Sequence, residues 1–261
     1  MKDYLKLHLQ ELPYFRALLR AVEARFYEGI SLPEPVLDLG CGDGHFSSLA
    51  FDNQHQIGMD PWWGPLTEAA SRRTYQYLVC ADGDKMPYPS DHFSSAVSNS
   101  VLEHIPDLDP VIEETARVLK PGAKFIFCVP NHRFLDTLSI GRFLDQTKLP
   151  RLAEGYRSFF NRISRHYQCD SLETWQGRLE KYGFEIEESW DYFSPQALQI
   201  LEWGHYFGIP SWFSKFLFGK WILAPFDWNL YLTDLLVRPH YERNPQSENG
   251  VYSFYITRYL G

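Results

Sequence analysis

Three glycines that follow directly on a short apolar run are the residues whose type and spacing most clearly suggest chemistry. The run covers residues 36–39 and carries one carboxylate, Asp38, and the glycines are Gly40, Gly42 and Gly44. Glycine adopts positive φ without strain and leaves the main chain bare, so that a ligand can lie against it. A helix that begins at this turn would add free N–H groups to the site. The pattern therefore predicts a cofactor-binding loop between a buried strand and a helix.

The spacing of these glycines separates several nucleotide-binding classes. Dinucleotide-binding loops have the pattern G-x-G-x-x-G, whereas this chain reads G-x-G-x-G, with His45 where the third glycine would stand. The difference argues against a nicotinamide-dependent oxidoreductase, which stays open as an alternative. A phosphate-binding P-loop is excluded, because no Gly-Lys-Ser/Thr sequence follows.

Such a loop needs a parallel sheet to position it, and the hydrophobic pattern predicts one. Short apolar runs alternate with segments of helical periodicity, which is typical of βαβ units. We expect an α/β fold: a Rossmann-like, doubly wound sheet of seven mostly parallel strands with helices on both faces. The predicted strands are 36–39, 55–60, 75–80, 93–98, 124–129, 184–192 and 251–259, and the predicted helices are 5–26 (one or two), 46–51, 66–73, 108–119 and 171–182.

The run from Asp38 to Gly44 resembles the first motif of class I S-adenosylmethionine-dependent methyltransferases. Further segments resemble that family in the same order along the chain. They are 58–60 (end of the second strand), 80–83 (loop after the third), 93–105 (fourth strand and following turn) and 117–123 (connection into the fifth strand). The subgroup it resembles is the small-molecule and lipid type related to the quinone-biosynthesis methyltransferases. The resemblance is dense over 34–131 and extends thinly to 171–192.

The resemblance implies S-adenosyl-L-methionine as the cofactor and gives roles to residues at the predicted strand ends. Asp60 would accept hydrogen bonds from the ribose hydroxyls, as the corresponding acid does in dinucleotide-binding folds. Asp82 would meet the adenine amino group, and Asp38 would orient the cofactor's ammonium. The expected cofactor-binding residues are Asp38, Gly40, Cys41, Gly42, Gly44, Asp60, Pro61, Asp82, Gly83, Asn99 and Ser100.

Three histidines are candidates for a catalytic base. Methyl transfer from a sulfonium needs mainly alignment and exclusion of water, and a base is needed only when the acceptor is protonated at working pH. His104 follows the fourth predicted strand, His132 follows the fifth, and His166 precedes the sixth. Each could instead be a hydrogen-bonded histidine with a structural role.

An aromatic-rich connection at 194–250 joins the last two predicted strands, where the family usually has a short hairpin. It holds four tryptophans and a dense apolar tract at 207–226. Three interpretations stay open. The segment could be a lid over an apolar acceptor, an interfacial segment with Lys215 and Lys220 facing lipid headgroups, or a dimer contact or additional core.

Charge and composition exclude other classes of function. The formal net charge is −8, so the chain lacks the overall positive field that attracts nucleic acid. No apolar stretch reaches the roughly 18 uncharged residues of a spanning helix, and the N-terminus does not read as a secretory signal. We expect a cytoplasmic protein with no metal site and no disulfide framework, since the four cysteines form no C-x-x-C pair. They are Cys41, Cys80, Cys128 and Cys169.

These features together predict methylation of a small or lipid-like apolar molecule, with oxygen as the expected acceptor atom. The main alternative is a non-catalytic protein of the same fold that uses the aromatic insertion for partner or membrane binding. We expect a helical segment at 1–33, a methyltransferase core at 34–193 and 251–261, and acceptor-side insertions or a lid at 131–170 and 194–250. Peripheral membrane contact through 207–226 and a homodimer are further options, and nucleic acid is not an expected partner.

Overall fold

Seven strands form one sheet in the computed structural model, which describes residues 2–51 and 55–261. The strand order is β3-β2-β1-β4-β5-β7-β6, and β7 runs antiparallel to both of its neighbours. The predicted doubly wound α/β sheet is thereby confirmed. Met1 and residues 52–54, which fall inside the predicted units 1–33 and 34–193, lie outside the described residues. The strands are β1 (Val36–Leu39), β2 (His55–Asp60), β3 (Tyr75–Cys80), β4 (Phe93–Asn99), β5 (Leu119–Pro130), β6 (Phe184–Tyr192) and β7 (Tyr252–Tyr259).

The strand order reverses between β1 and β4, at the centre of the sheet. Loops that leave the carboxyl ends of two such strands diverge and open a crevice, which is where ligands bind in doubly wound sheets. All four residues of β1 are buried, as expected for a strand with helices on both faces. Because Asp38 pairs with Val97, the glycine loop leaves β1 at the level where β4 ends at Asn99.

Twelve helices surround the sheet in the described part of the chain. α4 begins at Trp63 rather than at the predicted residue 66, because Pro65 is tolerated in a first turn. β5 begins at Leu119 rather than at 124, and its pairing with β4 changes register between Phe93 and Ser95. The helices are α1 (Tyr4–Leu9), α2 (Tyr14–Phe26), α3 (His45–Ala50), α4 (Trp63–Arg72), α5 (Asp109–Val118), α6 (Phe134–Thr137), α7 (Ser139–Gln146), α8 (Pro150–Ser164), α9 (Leu172–Lys181), α10 (Pro195–Phe207), α11 (Ile209–Phe218) and α12 (Asp227–Tyr241).

The two N-terminal helices pack against the helices of the 194–250 insertion. α2 contacts α10 and α12, and α1 contacts α12. Leu18, Leu201 and Val237 are buried in the one apolar cluster that these helices share. The insertion therefore forms additional core through α10 and α12, whereas none of the side chains that the structure describes in α11 is buried. The predicted division of the chain into units stays a prediction.

No helix within the described ranges is long and apolar enough to cross a bilayer.

Candidate active site

The glycine loop after β1 is shaped by three residues with positive φ. Gly40, Gly42 and Gly44 have φ of 76°, 54° and 68°, a conformation that glycine adopts without strain. A Cβ atom on Gly40 would come within 2.3 Å of Val101 Cγ1, whereas one on Gly42 would meet no atom within 4 Å. Packing therefore requires glycine at position 40, and Gly42 presents bare main chain to open space.

That open space is a cavity of about 390 Å³, named here the glycine-loop cavity. Arg16 and Arg20 of α2 complete its wall together with Lys215 and Trp221 of the insertion. The contribution of α2 was not foreseen from the sequence. Among the predicted cofactor-binding residues, those that line the cavity are Asp38, Gly40, Cys41, Gly42, Asn99 and Ser100.

Asp38 lies buried at the end of β1 with one oxygen fixed by two hydroxyls. Ser47 and Tyr75 both donate to its Oδ2, at 2.5 and 2.6 Å. These bonds hold the carboxylate in the cavity wall between α3 and β3. The position is compatible with the expected role of Asp38 in orienting an ammonium group.

Asp60 stands behind the glycine loop rather than in the cavity wall. Its Oδ2 accepts the Gly42 N–H at 3.0 Å, and its Oδ1 accepts the Trp62 N–H at 2.9 Å. The side chain is buried, and this burial raises the pKa of the carboxyl. Asp60 thus fixes the conformation of the loop, and its expected contact to the ribose stays a prediction.

The other predicted cofactor residues lie around this point without lining the cavity. Gly44 is the N-cap of α3, while Pro61 and Asp82 are exposed beside the ends of β2 and β3. Gly83 is closely packed, because a Cβ there would meet Val111 Cγ1 at 3.0 Å. None of the four belongs to the cavity wall, so their contacts to an adenosine stay predictions.

His45, which occupies the place of a third glycine, joins the loop to α1. Its Nε2 lies 2.9 Å from His8 Nδ1, and its Nδ1 lies 3.2 Å from Glu11 Oε2. The hydrogen bond from His45, followed by that from Arg72, lowers the pKa of Glu11 to about 2 despite partial burial. The departure from the dinucleotide pattern is therefore a structural link between the loop and the N-terminal helix.

A buried carboxylate that the sequence did not single out fixes polar side chains in the wall of the glycine-loop cavity. Glu23 of α2 is 0% exposed and accepts four hydrogen bonds. The donors are Arg20 and Asn99, both at 2.6 Å, Ser100 at 2.9 Å and Tyr192 at 3.0 Å. One signal was present in the sequence, because Glu23 falls on the apolar face of an amphipathic helix, where a carboxylate needs partners.

A second cavity of about 580 Å³ adjoins the first and is named here the histidine cavity. The two share Arg16, Arg20, Ser100, His104 and Trp221, so that they meet where α2 faces the end of β4. The rest of the wall is mainly apolar. Its apolar members are Pro13, Phe15, Leu19, Phe134, Ile163, Leu201, Gly208, Trp212 and Tyr252.

Two of the three predicted histidines face this cavity. His104 and His166 have ring centroids 5.4 Å apart, and Arg165 O lies 3.0 Å from His104 Nδ1, which fixes Nδ1 as the donor. Burial lowers the pKa of both rings, that of His166 to about 3. Both are therefore neutral near pH 7, and His166 is a weak base. His132 is exposed and lines neither cavity.

Glu103 is a titratable group of the histidine cavity that the sequence did not single out. It is 1% exposed, its Oε2 has no hydrogen-bond partner among the described residues, and its Oε1 lies 3.9 Å from His104 Nε2. Burial raises the pKa of this carboxyl to about 8. The ligand atoms of Glu103, His104 and His166 lie within 4.8 Å of one another. This is the group, in the part of the chain that the structure describes, that could hold a metal ion.

The sheet order, the antiparallel β7 and the glycine loop at the switch point define a class I methyltransferase fold. The chain belongs to the methyltransferase domain family, whose model matches residues 8–189. The resemblance seen in the sequence is thereby confirmed, together with S-adenosylmethionine as the cofactor. The open main chain at Gly42, bordered by Asp38 and Asn99, fits an adenosyl group with a polar amino-acid end.

Relatives that are named as methyltransferases support this family assignment. The chain is 31% identical over 126 residues to a malonyl-[acyl-carrier protein] O-methyltransferase of Methylovorus sp., covering 42% of this chain and 43% of that protein. It is 30% identical over 173 residues to a probable S-adenosylmethionine-dependent methyltransferase of Mycolicibacterium smegmatis, covering 65% and 59%. The matches thus span about half the length of these relatives.

Solved structures show the same fold at low sequence identity. The phosphoethanolamine N-methyltransferase 2 of Haemonchus contortus, in complex with S-adenosyl-L-methionine, superposes with a TM-score of 0.58 at 18% identity. The superposition covers 93% of this chain and 52% of that one.

Proposed function

We propose that the protein transfers a methyl group from S-adenosylmethionine to a small or lipid-like molecule with a substantial apolar part. The observation that carries the proposal is the junction of two cavities. The glycine-loop cavity borders bare main chain at Gly42, and it opens at Ser100 and His104 into the largely apolar histidine cavity. A cofactor in the first cavity and an acceptor in the second would meet at this junction.

The residues of the first cavity would hold the cofactor, which supplies a sulfonium-bound methyl group when bound. Asp60 keeps the loop in its open conformation through the Gly42 N–H. Asp38 offers a carboxylate to the cofactor's ammonium, and Asn99 and Ser100 are held at the cavity by Glu23. Preorganised groups of this kind need no rearrangement when the ligand binds.

We take oxygen as the acceptor atom, which agrees with the O-methyltransferase among the relatives. A hydroxyl acceptor must lose its proton during the transfer. His104 lines both cavities and presents Nε2 away from its bond to Arg165, so it is the histidine that we propose for this role. Glu103 lies beside it, and its Oε2 has no hydrogen-bond partner within the described ranges.

Removal of the Asp60 carboxylate tests the cofactor site. We expect Asp60→Ala to weaken binding of S-adenosylhomocysteine by about 1.5–3 kcal/mol, since the proposed charge-assisted hydrogen bond to the ribose is lost and the Gly42 N–H loses its acceptor. Isothermal titration calorimetry measures the difference, with Asp84→Ala as the control because Asp84 is exposed on the loop after β3. Equal affinities of wild type and Asp60→Ala would contradict the proposed role of Asp60 in cofactor binding.

We also propose that α11 rests on a lipid surface from which an apolar acceptor enters. Phe216 and Leu217 are 73% and 65% exposed, whereas Trp212 of the same helix lines the histidine cavity. Exposed aromatic and aliphatic side chains on one helix are typical of interfacial segments. Lys220 is exposed beside them, while Lys215 pairs with Glu68 at 3.1 Å.

A charged side chain on α11 tests this membrane contact. We expect Phe216→Glu to reduce co-sedimentation with phospholipid vesicles about tenfold or more, because burial of one phenylalanine contributes about 1.5–3 kcal/mol. Phe143→Glu is the control, since Phe143 is 62% exposed on α7. Unchanged vesicle binding would contradict the proposal. So would a dimer in gel filtration that Phe216→Glu converts to monomer, because α11 would then be a subunit contact.

A further inference from the structure

The histidine cavity carries positive charge that its own carboxylates do not balance. Three arginines line it, Arg16, Arg20 and Arg165, against one acidic residue, Glu103. The chain as a whole has the opposite excess, with 33 acidic and 25 basic residues. Three arginines thus cluster in a largely apolar cavity of an acidic protein. This local excess of positive charge indicates a site for an anionic ligand.

Arg16 is an exposed arginine of this group that lies against an aromatic ring. It lines both cavities, and its guanidinium carbon lies 5.5 Å from the ring centroid of Trp221. Stacking on an aromatic ring orients a guanidinium without using its N–H donors. No hydrogen bond or ion pair occupies those donors among the described residues, so the fork is free to bind an anion in a bidentate manner.

The two neighbouring arginines, Arg20 and Arg165, differ in the hydrogen bonds that they form. Arg20 lies one helical turn along α2, about 6 Å away, and its Nη1 donates to the buried Glu23. Because Glu23 also holds Asn99 and Ser100, Arg20 belongs to the cofactor side of the junction. Arg165 is exposed and contributes its carbonyl to His104. Arg16 and Arg165 both line the histidine cavity, and neither guanidinium has an ion-pair partner among the residues that the structure describes.

We infer that the acceptor is an amphipathic anion, whose carboxylate or phosphate group is bound by Arg16 with help from Arg165 and whose apolar part lies along the aromatic wall. The inference rests on the proposed function, because it assigns the histidine cavity to the acceptor. The apolar walls accommodate a chain or ring, and Trp221 covers the guanidinium from the insertion side. An uncharged apolar molecule bound there would cover the guanidinium of Arg16, which is exposed in this structure, without giving it a partner, and this is costly.

Three probes with the same alkyl chain test the inference: decyl phosphate, decanoate and decan-1-ol. Calorimetry measures their binding to the full chain with and without saturating S-adenosylhomocysteine. We expect the wild type to bind at least one of the two anions ten times or more tightly than the alcohol, with the tighter anion indicating the headgroup. Arg16→Gln should remove most of that preference, and it should weaken binding of the alcohol and of S-adenosylhomocysteine much less than it weakens binding of the anion.

Two further variants make the experiment decisive. Arg165→Gln should reduce the anion preference to a smaller extent, and it provides a second route if Arg16→Gln does not fold. Arg151→Gln is the charge-matched control, because Arg151 is exposed on α8 and lines neither cavity. Equal affinity of the wild type for anion and alcohol would overturn the inference. A parallel loss of S-adenosylhomocysteine binding in Arg16→Gln would also overturn it, since Arg16 would then hold the cofactor's carboxylate. Absence of S-adenosylhomocysteine binding in the wild type would instead contradict the proposed function.

Discussion

The free energy of unfolding of the wild type is expected to fall between about pH 4.5 and pH 8, and replacement of Glu103 by glutamine is expected to abolish this fall. Burial raises the pKa of this carboxyl from 4.5 to about 8 in the folded protein. Between these values the unfolded chain has an ionised Glu103, whereas the folded chain keeps it protonated. The free energy of unfolding therefore falls by about 1.4 kcal/mol per pH unit in this window. Above pH 8 the accumulated decrease in the free energy of unfolding is constant, at about 3–5 kcal/mol.

Urea unfolding of wild type and Glu103→Gln from pH 4 to pH 9 measures this effect. The difference between the two proteins should be smallest near pH 4, grow up to about pH 8 and then level off. Glu113→Gln is the matched control, because Glu113 is exposed on α5 and should follow the wild type throughout. Parallel stability profiles of wild type and Glu103→Gln would show that Glu103 ionises normally in the fold.

Replacement of Glu23 by alanine is expected to destabilise the protein by about 3–5 kcal/mol, because it leaves the Arg20 guanidinium buried without its partner. The side chain of Arg20 is only 19% exposed, and the donors of Asn99, Ser100 and Tyr192 lose the same acceptor. Since Asn99 and Ser100 line the glycine-loop cavity, affinity for S-adenosylhomocysteine should fall as well.

Thermal or urea unfolding measures the loss of stability, and calorimetry measures the loss of cofactor affinity. Glu23→Gln should have a smaller effect, because its amide oxygen still accepts from some of the donors but its charge is gone. Glu28→Ala is the control, since Glu28 is exposed just beyond the end of the same helix. A stability change below about 1 kcal/mol in Glu23→Ala would mean that the four hydrogen bonds are replaced by others.

The sheet could be predicted from the sequence because its strands are short apolar runs separated by turn residues. β1, β2 and β3 have the predicted bounds, and the loop glycines have the predicted positive φ. The helices at 134–164 and the three helices of the insertion were not predicted as such. Apolar residues of these helices lie both in the shared core and on an exposed face. The hydrophobic pattern therefore lacks the period of a single amphipathic helix.

The candidate site was predictable only where adjacent residues carry the signal. Asp38 and Gly42 lie in one motif and line one cavity. Arg16 and Glu23 come from α2, and only the folded chain brings them to the end of β4. His104 and His166 meet across a long stretch of sequence, whereas His132 follows β5 but points to the surface. Position after a strand therefore does not determine which way a side chain faces.

The packing of α1 against α12 has a consequence for the order in which the molecule forms. Lys6 and Asp227 are 221 positions apart and yet form an ion pair at 3.0 Å. Contacts between such distant parts of the chain require closure of a long loop, and folds rich in such contacts fold slowly. During synthesis, α1 and α2 are therefore made long before α12, with which they pack. The wall that α2 gives to both cavities gains its support from α12 only after that later helix has been made.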